Sequence, residues 1–235
     1  MRILAAAGLA VGILLPGLAQ AHPHIWISQH VRVVASGGQF THFEIEWRFD
    51  PFSSEDEIPP IDEDHNGKIS PQETALLARD MMPELEKNGF LTWLNTGAKD
   101  FRPPRRPSLA VRIDDPATFT PPDWNREEGD EPQGVGPRSG GKDAGRPMPS
   151  NKRVEQQPPP PKRGPRNLVY VMRFELPQPT KALSITTYEP EDFIRIEVDK
   201  ASLPAACTLG KHPTYKSEFV PGKPVFADIV SCKLP

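Results

Sequence analysis

The sequence has no surplus of basic residues and no recognisable catalytic motif, and both absences narrow the function. Lysine and arginine number 28 against 31 aspartate and glutamate, so the formal net charge is -3. A chain without a basic surplus lacks the electrostatic footprint of a nucleic acid-binding protein. It also lacks a nucleophile elbow, a zinc-protease helix and a spaced catalytic cysteine, and we therefore expect no enzyme activity.

Long apolar runs are absent beyond the N-terminus. Residues 1–21 combine the positive Arg2, an apolar run over residues 3–18 and the small-x-small site Ala19-Gln20-Ala21, which together predict a cleaved secretory signal. The run is too short and wrongly flanked for a permanent membrane span, and no later stretch reaches that length. We expect a mature chain that begins at His22, is exported to the periplasm and does not span the membrane.

Cysteine is scarce, with only Cys207 and Cys232 present. In an oxidising compartment the two predict a disulfide, with a buried free thiol as the alternative. The bridge would close a loop of roughly two dozen residues and contribute about 3 kcal/mol by restricting the unfolded chain.

The stretch at residues 62–73 carries the clearest chemical pattern of the chain. Oxygen donors recur at the first, third, fifth, seventh, ninth and twelfth positions, which is the spacing of a calcium loop. Gly67 occupies the position of the sharp turn, and Ile69 would point away from the ion toward the core. The predicted ligands are Asp62, Asp64, Asn66, the carbonyl oxygen of Lys68, Ser70 and Glu73.

The two flanks of this loop differ. Pro59 and Pro60 stand where the last turn of an entering helix should lie, so we expect only half of an EF-hand-like unit. Ser70, Pro71 and Glu73, by contrast, have the pattern of a capping box that begins an exiting helix. An acidic turn ahead of a helix, without an ion, is the alternative interpretation.

Alternating apolar and polar residues predict strands through much of the remaining chain. The alternation at residues 24–34 and 42–50 predicts a β-hairpin. We favour a three-residue loop at residues 36–38, because it pairs apolar with apolar residues and sets His24 opposite Asp50. With the short strands that follow, the expected fold is mainly β, with sandwich-like antiparallel sheets and one principal α-helix after the calcium loop.

Composition separates one segment from the rest. Residues 121–166 contain 11 prolines and seven glycines among 46 residues, with few apolar side chains. Such a segment cannot bury enough apolar surface to fold, so we expect a disordered, proline-rich insertion. Residues 22–120 and 167–235 would together form one β-rich periplasmic domain.

Several short motifs resemble one bacterial family of periplasmic proteins. They are His22-Pro23-His24-Ile25-Trp26-Ile27 directly after the signal, Trp47-Arg48-Phe49-Asp50, the acidic loop, and Tyr188-Glu189-Pro190-Glu191-Asp192-Phe193. The family is known as domain of unknown function one thousand and seven. Its members tend to occur beside permeases of the nickel/cobalt-exporter superfamily, and some are implicated in zinc uptake. The resemblance therefore implies an accessory protein that works with a membrane permease for metal ions.

Cleavage after Ala21 would create a metal-ligating group at the new N-terminus. His22 would offer an α-amine and an imidazole to one ion, while Pro23 lacks the backbone N–H that the common copper motif uses. His24 and Asp50 could add a nitrogen and a carboxylate. This mixture suits zinc, nickel, cobalt or copper, and we expect one transition-metal ion, zinc first. A solvated terminal histidine and an ordinary cross-strand pair are the alternatives.

Two classes of function remain open from the sequence. The first is a periplasmic metal-binding accessory of a transport system for zinc, or for nickel and cobalt, in partnership with a membrane permease. The second is a calcium-stabilised periplasmic interaction module with a proline-rich arm. A copper protein that uses its N-terminal histidine is a further alternative.

Overall fold

The computed structural model describes residues 25–120, 164–191, 193–220 and 223–235. The predicted signal peptide at residues 1–21, the two N-terminal histidines and residues 121–163 of the predicted insertion lie outside the described residues. Within them, nine strands and two α-helices follow in the order β1 (Ile25–Ser36), β2 (Gln39–Phe49), α1 (Pro51–Ile61), α2 (Pro71–Lys87), β3 (Thr92–Asn95), β4 (Ser108–Asp114), β5 (Asn167–Thr180), β6 (Ala182–Thr187), β7 (Ile194–Val198), β8 (Cys207–Val220) and β9 (Lys223–Lys233).

The strands form two sheets. The larger has five strands in the order β4-β5-β2-β1-β7, and the smaller has four in the order β3-β6-β9-β8. Neighbouring strands run antiparallel, except that β7 lies parallel to β1. The expected mainly β fold with antiparallel sheets is confirmed, with two helices where the sequence predicted one principal helix. Neither helix in the described part of the chain has the length and apolar character needed to cross a membrane.

One hydrophobic core joins both sheets and both helices. Phe43 on β2 stacks on Phe174 of β5 with ring centroids 4.9 Å apart, and Phe90 meets Phe174 edge-on. Burying a side chain of this kind contributes roughly 1.5–3 kcal/mol. Ile58 and Met82, each 2% exposed, bring α1 and α2 into the same core. The loop between the helices is therefore held at both ends by packed elements.

Helix α1 corrects the expectation that prolines would abolish a helix before the acidic loop. Asp50 caps it by accepting the N–H of the third helical residue at 2.9 Å, and a proline occupies its first turn. Pro59 and Pro60 lie in the last turn, yet the N–H of Asp62 still donates to the carbonyl of Ile58 at 2.9 Å. Burial of Ile58 in the core outweighs the local penalty of two prolines near a helix end.

The predicted three-residue loop of the first hairpin is wrong. Gly37 and Gly38, with φ of 60° and 73°, form a two-residue turn between β1 and β2. Glycine adopts this left-handed backbone without steric cost. A β-bulge between Val34 and Ala35 then shifts the register of the rest of the hairpin.

The changed register moves the partner of Asp50. Ile27 pairs with Phe49, so Asp50 lies beside Trp26 and not opposite His24 as predicted. The N–H of Asp50 donates to the carbonyl oxygen of Trp26 at 2.9 Å, and the N–H of Trp26 donates to the Asp50 carboxylate at 3.1 Å. Asp50 therefore ties the start of β1 to the start of α1.

The predicted disulfide between Cys207 and Cys232 is confirmed. The two cysteines are cross-strand partners on β8 and β9, separated by 25 positions in the sequence. Because β9 also pairs with β6, the bridge fastens β8 to the interior of the smaller sheet.

The predicted insertion leaves and rejoins the larger sheet at neighbouring points. Its flanking strands, β4 and β5, are antiparallel partners. Beyond the end of β4, the N–H of Ala117 donates to the carbonyl of Pro165 at 2.8 Å, and the N–H of Thr118 donates to the side chain of Asn167 at 2.6 Å. The chain on either side of residues 121–163 is therefore held together by the sheet.

Candidate metal centre

Three carboxylates converge between the two helices. Asp62, Asp64 and Glu73 each offer one oxygen, and these atoms all lie within 4.8 Å of one another. Asp62 is only 3% exposed and Glu73 only 7%, while Asp64 faces solvent. Oxygen ligands lie about 2.3–2.6 Å from calcium, so two ligands of one ion are at most about 5 Å apart. The spacing of the cluster fits a single ion.

Backbone hydrogen bonds shape the first half of the loop around Asp62. Its Oδ1 accepts the N–H of Asn66 at 3.0 Å, and its Oδ2 accepts the N–H of Gly67 at 2.8 Å. Gly67 has a φ of 80°, which glycine allows where the chain turns sharply. The chain therefore curls around the buried carboxylate.

Glu73 closes the second half of the loop and begins α2. Its Oε2 accepts the N–H of Ser70 at 2.7 Å, while Ser70 Oγ accepts the N–H of Glu73 at 3.2 Å, so the predicted capping box is confirmed. Its Oε1 accepts the N–H of Glu63 at 2.8 Å. The backbone hydrogen bond from Ser70, followed by those from the start of the loop, holds the pKa of Glu73 below its ordinary value. The carboxylate is therefore charged at neutral pH.

The other predicted ligands, Asn66, Lys68 and Ser70, lie in the same loop, where they form hydrogen bonds that shape the loop or cap α2. The Asn66 amide donates to Asp64 at 2.7 Å, and its oxygen accepts the N–H of Lys68 at 2.8 Å. Ser70 serves as the N-cap of α2. The structure thus brings together the three carboxylates of the predicted set, and it places Asn66, Lys68 and Ser70 on the loop around them.

Asp50, predicted as a ligand of the transition-metal site, has a structural role that the sequence analysis missed. Its Oδ1 accepts the N–H of Ser53 at 2.9 Å, and its Oδ2 accepts the Ser53 hydroxyl at 2.5 Å and the N–H of Trp26 at 3.1 Å. An aspartate directly before a proline is a typical helix start, and this signal was present in the sequence as Asp50-Pro51. The predicted partners His22 and His24 lie outside the described residues.

A second polar cluster, on the outer face of the larger sheet, was also missed. Glu46 accepts hydrogen bonds from Arg112 at 2.7 Å and from Arg48 at 2.6 Å, and His30 Nε2 lies 3.3 Å from Asp199. Burial, reinforced by the charge of Arg48, lowers the pKa of His30, while Asp199 opposes this shift. Arg112 on β4 pairs with Glu46 on β2 across the intervening β5, and His30 on β1 contacts Asp199 just after β7, so the cluster supports the sheet.

The fold and the cluster define a mainly β protein with a carboxylate-lined loop between two helices. The chain belongs to the family described as protein of unknown function (DUF1007), whose model matches residues 7–221. No curated protein and no solved structure gives a significant match. The resemblance indicated by the N-terminal, acidic-loop and Tyr188-Glu189-Pro190 motifs is therefore confirmed at the level of the family.

Proposed function

We propose that this protein is an exported, calcium-stabilised module in which residues 62–73 bind one calcium ion as a structural cation. The observation that carries the proposal is the convergence of Asp62, Asp64 and Glu73, whose oxygens lie within 4.8 Å of one another. Two of these carboxylates are almost fully buried. Grouped carboxylates repel one another and lose hydration on burial, and a bound cation offsets both costs.

The neighbouring side chains supply no substitute for that cation. In the described part of the chain, no lysine or arginine forms an ion pair with these three carboxylates. The groups that donate to them are backbone N–H groups and the Asn66 side-chain amide, which carry no net charge. The cluster therefore keeps a net negative charge that a divalent cation would largely offset.

The chemistry of the donors favours calcium over a transition metal in this loop. Calcium takes six to eight oxygen ligands, whereas zinc prefers nitrogen and sulfur. The loop offers carboxylate, amide, hydroxyl and carbonyl oxygens and places no cysteine among them. The residues that would hold the ion are Asp62, Asp64 and Glu73, with Asn66, Ser70 and the Lys68 carbonyl as further donors.

Thermal unfolding of the mature protein tests this proposal. At a calcium concentration about tenfold above the dissociation constant, binding to the folded state adds roughly 1.4 kcal/mol. For a chain of this size such a gain raises the melting temperature by about 3–6 °C. We expect the rise with calcium, and in a variant with His22 and His24 both replaced by Ala we expect no rise with an equal concentration of zinc. A melting temperature that is the same in calcium and in chelator would contradict the proposal.

A second candidate function is that of a periplasmic metal-binding accessory to a permease for zinc, or for nickel and cobalt. This candidate rests on the resemblance stated in the sequence analysis, and the matched family is itself described only as of unknown function. The position of Asp50 beside the first residues of β1 favours it, because the chain just before β1 carries His22 and His24. The proposed site, formed by His22, His24 and Asp50, would hold one transition-metal ion, and zinc is the ion we expect. Zinc titration of the processed mature chain tests it, and the absence of stoichiometric binding would contradict it.

A further inference from the structure

A groove of about 530 Å³ separates α2 from β4. Cavities of this size, largely apolar with a few polar groups, are typical of ligand sites. The proposed cation site does not use the groove, although the loop residue Ile69 lines one end of it. Its apolar lining includes Ile69, Ala75, Ala78, Met82, Leu109 and Val111.

The groove runs along the edge of the larger sheet. Leu109, Ala110 and Val111 all line it, although successive side chains of a strand point to opposite faces. Three consecutive residues can line one cavity where it meets the free edge of their strand, and β4 is an edge strand. The occupant of this groove would therefore meet the backbone of β4 as well as its side chains.

Within the described residues, the backbone of β4 is paired on one side only. β4 is the first strand of its sheet and pairs with β5. Every second N–H and C=O group of Ser108–Asp114 therefore points away from β5, and among the described residues no backbone hydrogen bond reaches these groups. A row of unpaired groups on an apolar edge is a template for another strand.

Two cationic side chains line the groove. Arg79 comes from α2 and Arg106 from the segment just before β4. Arg79 pairs with Asp80, and Arg106 pairs with Glu86, and both ion pairs are exposed to solvent. Exposed pairs of this kind are weak, so either guanidinium group can exchange its partner for an incoming carboxylate.

We propose that this groove binds an extended peptide segment of a partner protein, which adds to β4 as a further strand of the larger sheet. Its backbone pairs with the outer edge of Ser108–Asp114. Its apolar side chains enter the groove beside Ala78 and Met82, and an acidic side chain meets Arg79 or Arg106. Strand addition of this kind takes its affinity from backbone hydrogen bonds and its specificity from pockets for alternate side chains.

The probe is a fluorescein-labelled hexapeptide in which valine alternates with threonine and glutamate. Its matched control has the same side chains but carries N-methyl groups on alternate backbone nitrogens, so that one edge cannot donate hydrogen bonds. Fluorescence anisotropy with the full mature chain should show binding of the first peptide and at least about tenfold weaker binding of the second. Hydrogen exchange should show new protection of alternate amides within Ser108–Asp114.

Substitutions in α2 test whether the peptide binds in the groove. Ala78→Trp should weaken binding at least about tenfold by filling the cavity, and Gln72→Trp, at an exposed helix position that does not line the groove, should leave it unchanged. Ala75→Trp, at an exposed lining position, repeats the test if Ala78→Trp lowers the melting temperature. Replacing Arg79 and Arg106 by Gln should weaken binding of this acidic peptide and reduce its salt dependence.

Several results would overturn the proposal. They are no binding to the unmodified protein, equal binding of the N-methylated peptide, and equal binding to both groove-filling variants. Protection, in the free protein, of the β4 amides that point away from β5 would also overturn it, because the edge would then already be covered by this chain or by a second copy. Size-exclusion chromatography distinguishes those two causes.

Discussion

The carboxylate of Glu73 accepts the backbone N–H of Glu63 at 2.8 Å, across a separation of ten residues. The same carboxylate accepts the N–H of Ser70 at 2.7 Å, so one side chain joins both ends of the loop to the first turn of α2. The loop is closed by these bonds within the protein itself. Binding a cation would therefore require little further ordering of the chain, which favours affinity.

Glu73→Gln should abolish the rise in melting temperature that calcium produces, because a neutral amide removes the charge and the two-oxygen ligand at the end of the loop. Glu63→Gln makes the same chemical change at an exposed position of the same loop and should keep the rise. Differential scanning fluorimetry in chelator and in calcium measures both. Equal responses of the two variants would place the calcium effect elsewhere.

Acid should destabilise the protein partly through His30. Burial, helped by Arg48, lowers the pKa of His30, so the folded state binds this proton less readily than the unfolded state. The resulting stability is fully present above the unfolded pKa of about 6.5 and is lost as pH falls through the lowered folded pKa. His30→Gln should therefore reduce the loss of melting temperature between about pH 7 and pH 5.

The control for this prediction is His42→Gln, on the same outer face of the neighbouring strand. It separates an effect of His30 from the general effect of removing an imidazole. If His30→Gln and the unmodified protein lose stability in parallel as pH falls, the prediction for His30 is wrong.

Removing the Cys207–Cys232 bridge should destabilise the protein by about 2–4 kcal/mol, because the unfolded chain regains the freedom of the closed loop. For a chain of this size the expected loss of melting temperature is roughly 4–16 °C. The variant with both cysteines replaced by Ser should not respond to reductant, and the unmodified protein should fall to its level on reduction. A reductant effect that persists in the double variant would have another cause.

Zinc binding at the predicted N-terminal site should depend on the free amine of His22. One extra alanine ahead of His22 should weaken binding about as strongly as His24→Ala, because the amine then leaves the chelate ring. Affinity should fall below about pH 7, since an α-amine near 7.7 and an imidazole near 6.5 must both lose a proton to bind. Calorimetry on the three proteins measures this.

Asp50 needs a separate control, because it also caps α1. Asp50→Ala should lower stability by about 0.5–2 kcal/mol through the lost cap, whatever it does to zinc binding. Asp50→Ser keeps a capping side chain and removes the carboxylate, so it isolates the contribution to the metal. If neither the extra alanine nor His24→Ala changes zinc affinity, the N-terminus is not the metal site.

Replacing residues 121–163 by a short Gly-Ser linker should leave the melting temperature within a few degrees of its original value. The sequence predicts that this segment buries little apolar surface, and β4 and β5 on either side of it are already paired. Thermal unfolding of the shortened protein measures the effect. A loss of several kcal/mol would show that the segment packs on the domain.

Local signals in the sequence predicted local structure well. The capping box of Ser70 and Glu73 depends on residues three positions apart, and both of its hydrogen bonds are present. The disulfide was predictable because only two cysteines can pair. The convergence of Asp62, Asp64 and Glu73 was predictable because these residues lie within one short stretch of the chain, and calcium binding by that stretch stays a prediction.

The features that were missed depend on contacts between residues far apart in the chain, or on an unfavourable local sequence that is offset by burial in the core. The two prolines of α1 oppose a helix locally, and only the burial of Ile58 and Ile61 in the core reverses the balance. Thr41 has no partner at the bulge, and this extra residue shifts the register of the hairpin. Because the apolar side chains stay on the inner face, the alternation of the sequence alone cannot reveal the bulge. The parallel pairing of β7 with β1 joins segments far apart in the chain, and no short pattern encodes it.

The hydrogen bond between Ala117 and Pro165 holds the two ends of the intervening segment together. The stability of the protein should therefore depend little on the length of that segment. Once the two ends of a segment are held side by side, doubling its length costs only about 0.6 kcal/mol in loop entropy. A fluorescent protein or an affinity tag could replace part of residues 121–163 while the sheet stays intact. This junction is therefore the place to attach a reporter for locating the protein in cells without altering either end of the mature chain.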